Sequence, residues 1–357
     1  MKKKKFIAMM MVTVMAFSMT ACGSGNSTEK NNNTTPSAES QDTTSKSEFK
    51  ASMITDTGGV NDQSFNQSAW EGLKMLQEKT GAQVSYLEST QESDYASNLD
   101  KQVDEGSDLI WGVGFALAEA VEQAAEVNDD VNFAIVDNAY EEVPANVTCA
   151  IFNAQDPSFL VGYVAGLTTK TDKVGFIGGI SSEIIDQFEY GYRAGVQYAA
   201  EELGKEIEVV VQYADSFTDS AKGKAIGTTM YTNGCDIVFH AAAGVGIGLI
   251  EAAVEQGKFA IGVDSDQAYL APENVLTSAL KRVDVAVAEI SEKLANGEEI
   301  GGQTFTYGLA DGGVGIPEEN PNMDAEVYTK TIALQEKVAA GEIVVPYNAE
   351  TLEAFHQ

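Results

Sequence analysis

Carboxylates, phenylalanines and one lysine recur in this chain just past short apolar runs. The first run, Ala51–Thr55, is followed by Asp56-Thr57-Gly58-Gly59-Val60-Asn61-Asp62-Gln63-Ser64-Phe65-Asn66. The fourth, Phe133–Asp137, leads into Asn138. Later come Asp186-Gln187-Phe188, Asp215-Ser216-Phe217-Thr218-Asp219, Ala243-Gly244-Val245-Gly246, Asp264-Ser265-Asp266-Gln267 and Lys281. A flat heterocyclic base gains about 1–3 kcal/mol from stacking on an aromatic face, and Phe65 and Phe188 offer two such faces. Vicinal ribose hydroxyls donate to carboxylates, and bonds to charged partners are the stronger ones, so Asp264 and Lys281 suit a sugar. Asp56 and Asp137 suit the N–H groups of a base edge. Together these residues fit a nucleoside, and the absence of a basic cluster does not fit a phosphorylated one. Each also has a plainer role open to it. Phe65 and Phe188 lie on apolar helical stripes, Asp56 or Asn61 can cap a helix, and Asp137, Asp264 and Asp266 can hold turns.

Enzyme chemistries fit less well. Asp56-Thr57-Gly58 is the tripeptide of aspartic proteases, which need two such carboxyls sharing a proton, and the chain has one. Gly244-x-Gly246-x-Gly248 follows a strand-like run and precedes a helix. Its third glycine comes one position early for a dinucleotide-binding turn. There is no nucleophile elbow. His240 reads as a strand residue and His356 lies in the tail, so the two histidines argue against a His-based metal site. The chain is read as a non-enzyme that needs no cofactor.

Alternating elements must position these residues. Strand-like runs fall at 51–55, 84–88, 109–113, 133–137, 147–153, 174–178, 208–213, 237–242, 259–263 and 275–280. Amphipathic helices at 64–79, 117–127, 183–203, 249–256, 285–294 and 325–339 lie between or after them. In the first helix Phe65, Ala69, Leu73 and Leu76 form one stripe of a 3.6-residue repeat. Gly81, Gly106, Gly204, Gly234, Gly257 and Gly297 each stand just past a helix, where a left-handed cap is wanted. This pattern predicts an α/β fold with parallel sheets covered on both faces. Ten strands suit two doubly wound lobes better than a closed barrel, which would need eight evenly spaced repeats. The expected division is 49–154 plus 276–302 for lobe 1 and 155–275 plus 303–350 for lobe 2. Ligands of open parallel sheets bind at the carboxyl ends of the strands, where the residues above stand.

Residues 1–21 read as an export signal: four lysines, Lys2–Lys5, then an uncharged apolar run and small residues before Cys22. That run is too short for a comfortable transmembrane helix. A Cys directly after the small residues is the pattern of a lipobox, so Cys22 is the expected acylation site. Residues 23–48 hold no large apolar side chain and read as a disordered tether, about 28 Å in r.m.s. span. The 357-residue chain carries 22 basic and 54 acidic residues, a net charge of −32. Nucleic acid is therefore not an expected partner, and anionic lipid would repel the folded body. Membrane attachment would then rest on acyl chains. Cys149 and Cys235 sit in separate strand-like stretches and are expected to be buried free thiols.

The strings TDTGGVNDQSFNQSAWEG, GFIGGISSEIIDQFEYGYRAG, GVDSDQ and TSALKRV resemble the basic membrane protein family of bacterial lipoproteins. The resemblance runs over 49–345 and includes the lipobox. It implies a type I periplasmic-binding-protein fold: two α/β lobes, a hinge and a cleft between them. It also implies delivery of a nucleoside, expected to be a purine nucleoside, to the permease and ATPase of an ABC importer. The protein would be a monomer, lipid-anchored on the extracytoplasmic face of the cell membrane. By the same resemblance Asp56, Phe65, Asn66, Asp137, Phe188, Gly244, Asp264 and Lys281 line the cleft. The loop around Gly244, HAAAGVGIG, is more apolar than the family pattern, which weakens any polar sugar contact from it. A surface lipoprotein of the same fold that takes another small molecule, or acts as an adhesin or sensor, is the second reading.

Overall fold

The computed structural model describes residues 49–355. The expected signal, Cys22 and the tether lie outside the described residues. The chain opens with β1 (Lys50–Ile54), α1 (Phe65–Thr80), β2 (Gln83–Leu87), α2 (Asp94–Asp104) and β3 (Leu109–Val113). Then come α3 (Ala118–Val127), β4 (Asn132–Val136), β5 (Val147–Phe152), α4 (Gln155–Thr168), β6 (Lys173–Gly178) and α5 (Glu183–Leu203). The next stretch holds β7 (Glu208–Tyr213), α6 (Ser220–Thr232), β8 (Ile237–Ala241), α7 (Gly244–Gln256) and β9 (Phe259–Asp264). Last are β10 (Val275–Lys281), α8 (Val283–Ala295), β11 (Gln303–Tyr307), β12 (Val314–Gly315), α9 (Ala325–Ala339) and α10 (Ala349–Glu353).

The strands form two six-stranded sheets, ordered β11-β5-β4-β3-β1-β2 and β12-β10-β9-β8-β6-β7. Every pairing is parallel except β10 with β12. The central strands are buried along their length and almost wholly apolar, as LIWGV in β3 and IVFHA in β8, because helices cover both their faces. Each sheet therefore carries two apolar cores, one per face. Leu73, Trp111 and Val287 pack on one side of the first sheet and Tyr95, Ile110 and Phe133 on the other. Phe176, Tyr192 and Phe239 pack on one side of the second sheet and Ile226, Val238 and Leu249 on the other.

The chain passes between lobes three times, and at the second and third passages it departs from the expected boundaries. Residues 276–302 were expected in lobe 1, yet β10 pairs with β9 in the second sheet. Only the following helix, α8, packs on the first lobe, where Ser291 Oγ accepts from Trp111 Nε1 at 2.9 Å. Residues 303–350 were expected in lobe 2, yet β11 pairs with β5 as an edge strand of the first sheet. The six glycines expected as helix caps all have positive φ, from 59° to 104°. Cys149 and Cys235 are buried and free.

Candidate functional site

Loops at the carboxyl ends of strands in both lobes build the site. After β1, Asp56 folds the loop back on itself: its Oδ1 accepts from the Gly58 N–H at 2.8 Å and from Asn66 Nδ2 at 2.8 Å. A Cβ at Gly58 would lie 2.9 Å from that oxygen, so the close approach requires glycine. The start of α1 is held by Asp62. Its two oxygens accept from the amides of Ser64 (3.0 Å), Asn66 (2.8 Å) and Gln67 (3.1 Å), three N–H groups that would otherwise be orphaned. The helix is thus capped by Asp62 rather than by Asp56 or Asn61. Asp56 is freed to face the cavity, with Phe65 and Asn66 on the first turn.

Asp137 follows β4 and Asp264 ends β9, both in the left-handed region at φ 62° and 64°. Ala243 after β8 (φ 44°) and Gln63 before α1 (φ 58°) share that conformation. Such residues cost about 1–3 kcal/mol each and persist where the surroundings hold them, often at ligand sites. Here they turn the chain sharply off the strand ends and into the cleft.

The resulting cavity between the lobes has a volume of about 200 Å³. Seven of the eight expected residues line it: Asp56, Phe65, Asn66, Asp137, Phe188, Asp264 and Lys281. Gly244 does not. The wall there is made by Ala241, Ala242 and Ala243, and Gly244 begins α7 one residue later. Asp62 and Phe217, quoted at the strand ends without a role of their own, also line it, as do Glu92, Tyr95 and Ile184.

Lys281 is the centre of this arrangement. It is 2% exposed, and its Nζ is bonded to Asp137 Oδ2 of the other lobe. The ammonium lies 4.6 Å from the Phe65 ring centre, 5.3 Å from Phe152 and 5.8 Å from Phe188. Aromatic rings of both lobes thus lie near the ammonium. Ser64 Oγ donates to Asp264 Oδ2, a second bond across the cleft. Burial pushes the carboxyls of Asp56 and Asp264 above the usual range; hydrogen bonds oppose this at both, and the Lys281 charge also opposes it at Asp264. Burial likewise carries Asp62 up to about 6. The Oδ1 of Asn66 is buried with no partner among the described residues, an acceptor that awaits a donor.

The comparisons with known proteins agree with this geometry. A family model described as ABC transporter substrate-binding protein, PnrA-like, matches residues 49–349. The chain belongs to that family. It is 42% identical over 311 residues to basic membrane protein A of Borreliella burgdorferi, covering 86% of this chain and 90% of that one. It is 39% identical over 322 residues to the ABC transporter nucleoside-binding protein BmpA of Lactococcus lactis, covering 84% and 90%. Among solved structures, an ABC transporter solute-binding protein of Aeropyrum pernix superposes with a TM-score of 0.78 at 26% identity, covering 86% of this chain and 96% of that one. The fold is therefore the type I periplasmic-binding-protein fold, and the family's role is substrate binding for ABC transporters rather than catalysis. No cluster of His, Cys, Asp and Glu among the described residues could hold a metal ion. No described helix is long and apolar enough to cross a membrane.

Proposed function

We propose that this protein is the extracytoplasmic receptor of an ABC importer, anchored through an acylated Cys22, and that it holds a purine nucleoside between its lobes. The observation that carries this reading is the pair of phenylalanines. Phe65 and Phe188 come from different lobes and both line a cavity that also holds five carboxylates and a single lysine. Two ring faces suit one flat base. Carboxylates suit the N–H groups of a base edge and the hydroxyls of ribose, which donate. A phosphate would meet repulsion from that lining. The name of the Lactococcus relative points the same way.

The mechanism is closure on the ligand. In the open form each lobe offers half of the contacts. A base stacked on Phe65, its edge on Asp56, Asn66 and Asp137, brings its ribose to Asp264, and Phe188 covers the other ring face. Because the closed form alone makes both sets of contacts, binding shifts the population toward it. The closed monomer then presents both lobes to the permease and its ATPase.

Thermal unfolding of the full chain against purine nucleosides, pyrimidine nucleosides, free bases, pentoses and nucleoside monophosphates tests the reading. A ligand at 100 times its Kd adds about 2.7 kcal/mol. A large shift for purine nucleosides, little for free base or pentose and none for monophosphates is expected. After unfolding and refolding to strip any carried ligand, a flat response to every nucleoside overturns the reading.

A further inference from the structure

Three residues outside the cavity lining join the lobes. Gln63 of the first lobe accepts at both of its oxygens. Its backbone carbonyl takes the Gln267 Nε2–H at 3.0 Å, and its Oε1 takes the Tyr269 hydroxyl at 2.7 Å. Both donors belong to the loop between β9 and β10 of the second lobe. Neither Gln63, Gln267 nor Tyr269 lines the ligand cavity.

The two sides are built differently. Gln267 is fully buried and completely used. Its backbone N–H donates to Ser278 Oγ at 3.1 Å, and its Oε1 accepts from the Val263 N–H at 3.1 Å and faces His240 Nε2 at 3.0 Å. The second lobe thus presents a rigid amide. Gln63 on the first lobe is held at φ 58°, a conformation that a residue with a side chain adopts only under constraint. Its neighbours are held within the first lobe by the Asp62 cap, and the two bonds from the other lobe add to that hold. When the lobes part, those two bonds go.

We infer that Gln63, Gln267 and Tyr269 form a closure latch: positioning residues that set how long the closed form lasts, independently of what the cleft holds. The inference rests on the receptor reading only for its ligand. A latch of this kind slows opening by one factor for every ligand, because it touches none of them. A residue that touches the ligand changes the ratios between ligands instead.

The test uses the full chain and two single variants with their combination. Tyr269→Phe removes one hydroxyl from a half-exposed ring, and Gln63→Ala removes the acceptor while keeping a Cβ and so the same backbone cost. Dissociation rates are measured for inosine, adenosine and guanosine. One hydrogen bond predicts rates raised about 3- to 10-fold, by the same factor for all three, with association little changed. The double variant is expected to match the single variants, since both remove one bond. Unchanged rates, or factors that differ between the three ligands, overturn the latch. Small-angle scattering of the ligand-free proteins separates this from failure of the receptor reading. If no nucleoside binds, that reading fails by itself. The latch then stands if Tyr269→Phe shifts the ligand-free protein toward a more open form, and falls if the scattering is identical to that of the parent.

Discussion

The two walls of the cleft differ in kind. The first lobe contributes four carboxylates, Asp56, Asp62, Glu92 and Asp137, with Asn66 and Tyr95 between them. The second contributes Ile180, Ile184, Ile185, Phe188, Phe217, three alanines and Val263, with only Asp264 and Lys281 charged. The first wall is also pre-organised by its own bonds, from Asp56 to Gly58 and Asn66 and from Asp62 to three amides. Its polar groups are therefore fixed before any ligand arrives, which is what discrimination among hydrogen-bonding patterns requires. The second wall acts as an apolar lid carrying one charge of each sign. On the proposed function, a ligand is read by the first lobe and sealed by the second.

The largest effect tests the link between the walls. Lys281→Met leaves Asp137 buried without its cation whenever the cleft is closed. Stranding one partner of such a pair costs roughly 3–5 kcal/mol, which corresponds to at least about a hundredfold in affinity. Because the open form returns Asp137 to water, thermal unfolding without ligand is expected to change little. Adding Asp137→Asn should restore much of the loss. If Lys281→Met instead lowers stability and affinity equally, the pair is a structural one.

Acid sharpens the comparison next. On the second lobe His240 is fully buried, and burial holds it down at about 4. The unfolded chain takes up that proton near pH 6.5, so this residue alone makes stability fall by roughly 3 kcal/mol as pH drops from 6.5 to 4. Asp62 on the first lobe works in the opposite sense. Its folded carboxyl, raised to about 6, takes a proton that the unfolded carboxyl leaves until near pH 4, so it makes stability rise over the same window. Asp156, raised by burial to about 7, and the raised carboxyls of Asp56 and Asp264 act in the same sense as Asp62, so chemical unfolding at several pH values compares each variant with the parent. His240→Gln should gain stability toward pH 4 relative to the parent, and Asp62→Asn should lose it. The same slope in both variants contradicts these assignments.

Stacking comes third. Phe188→Ala removes one ring face, worth about 1–3 kcal/mol and tolerant of base identity. Titration calorimetry is expected to show similar losses for adenosine, inosine and guanosine. A smaller and selective effect belongs to the first wall. Asn66→Ala removes an acceptor with no partner of its own together with the amide that donates to Asp56 and Asp62, so about 1 kcal/mol more should be lost for nucleosides that donate to it than for the others. Selectivity appearing at Phe188 and not at Asn66 would reverse the roles of the walls.

Much of this was legible in the sequence because local pattern decides it. The ten apolar runs are strands, and the helix over 183–203 falls on α5 residue for residue. What local pattern cannot decide is which sheet a strand joins. Gln303–Tyr307 is a mostly exposed edge strand of sequence QTFTY with no apolar run, and its place beside β5 is set by a contact about 150 residues away. The strand before α8 was assigned with that helix, although the chain changes lobe between Lys281 and Val283. In the site, α2 was overlooked and Glu92 and Tyr95 with it. The stripe Tyr95, Leu99, Gln102, at steps of four and three and buried at each, was the available signal. Lys281 and Asp137 are both legible as site residues, but their pairing across the cleft is not. The two lie in different lobes, and a buried ammonium goes to the buried anion that the fold brings to it.

The most direct measurement is a crystal structure of the full chain with inosine. The account predicts the base between Phe65 and Phe188, its edge on Asp56 and Asn66 of the first lobe, and the ribose hydroxyls on Asp264 of the second. A ligand that touches only one lobe, or one turned so that Asp264 takes the base and the first lobe takes the sugar, would contradict it.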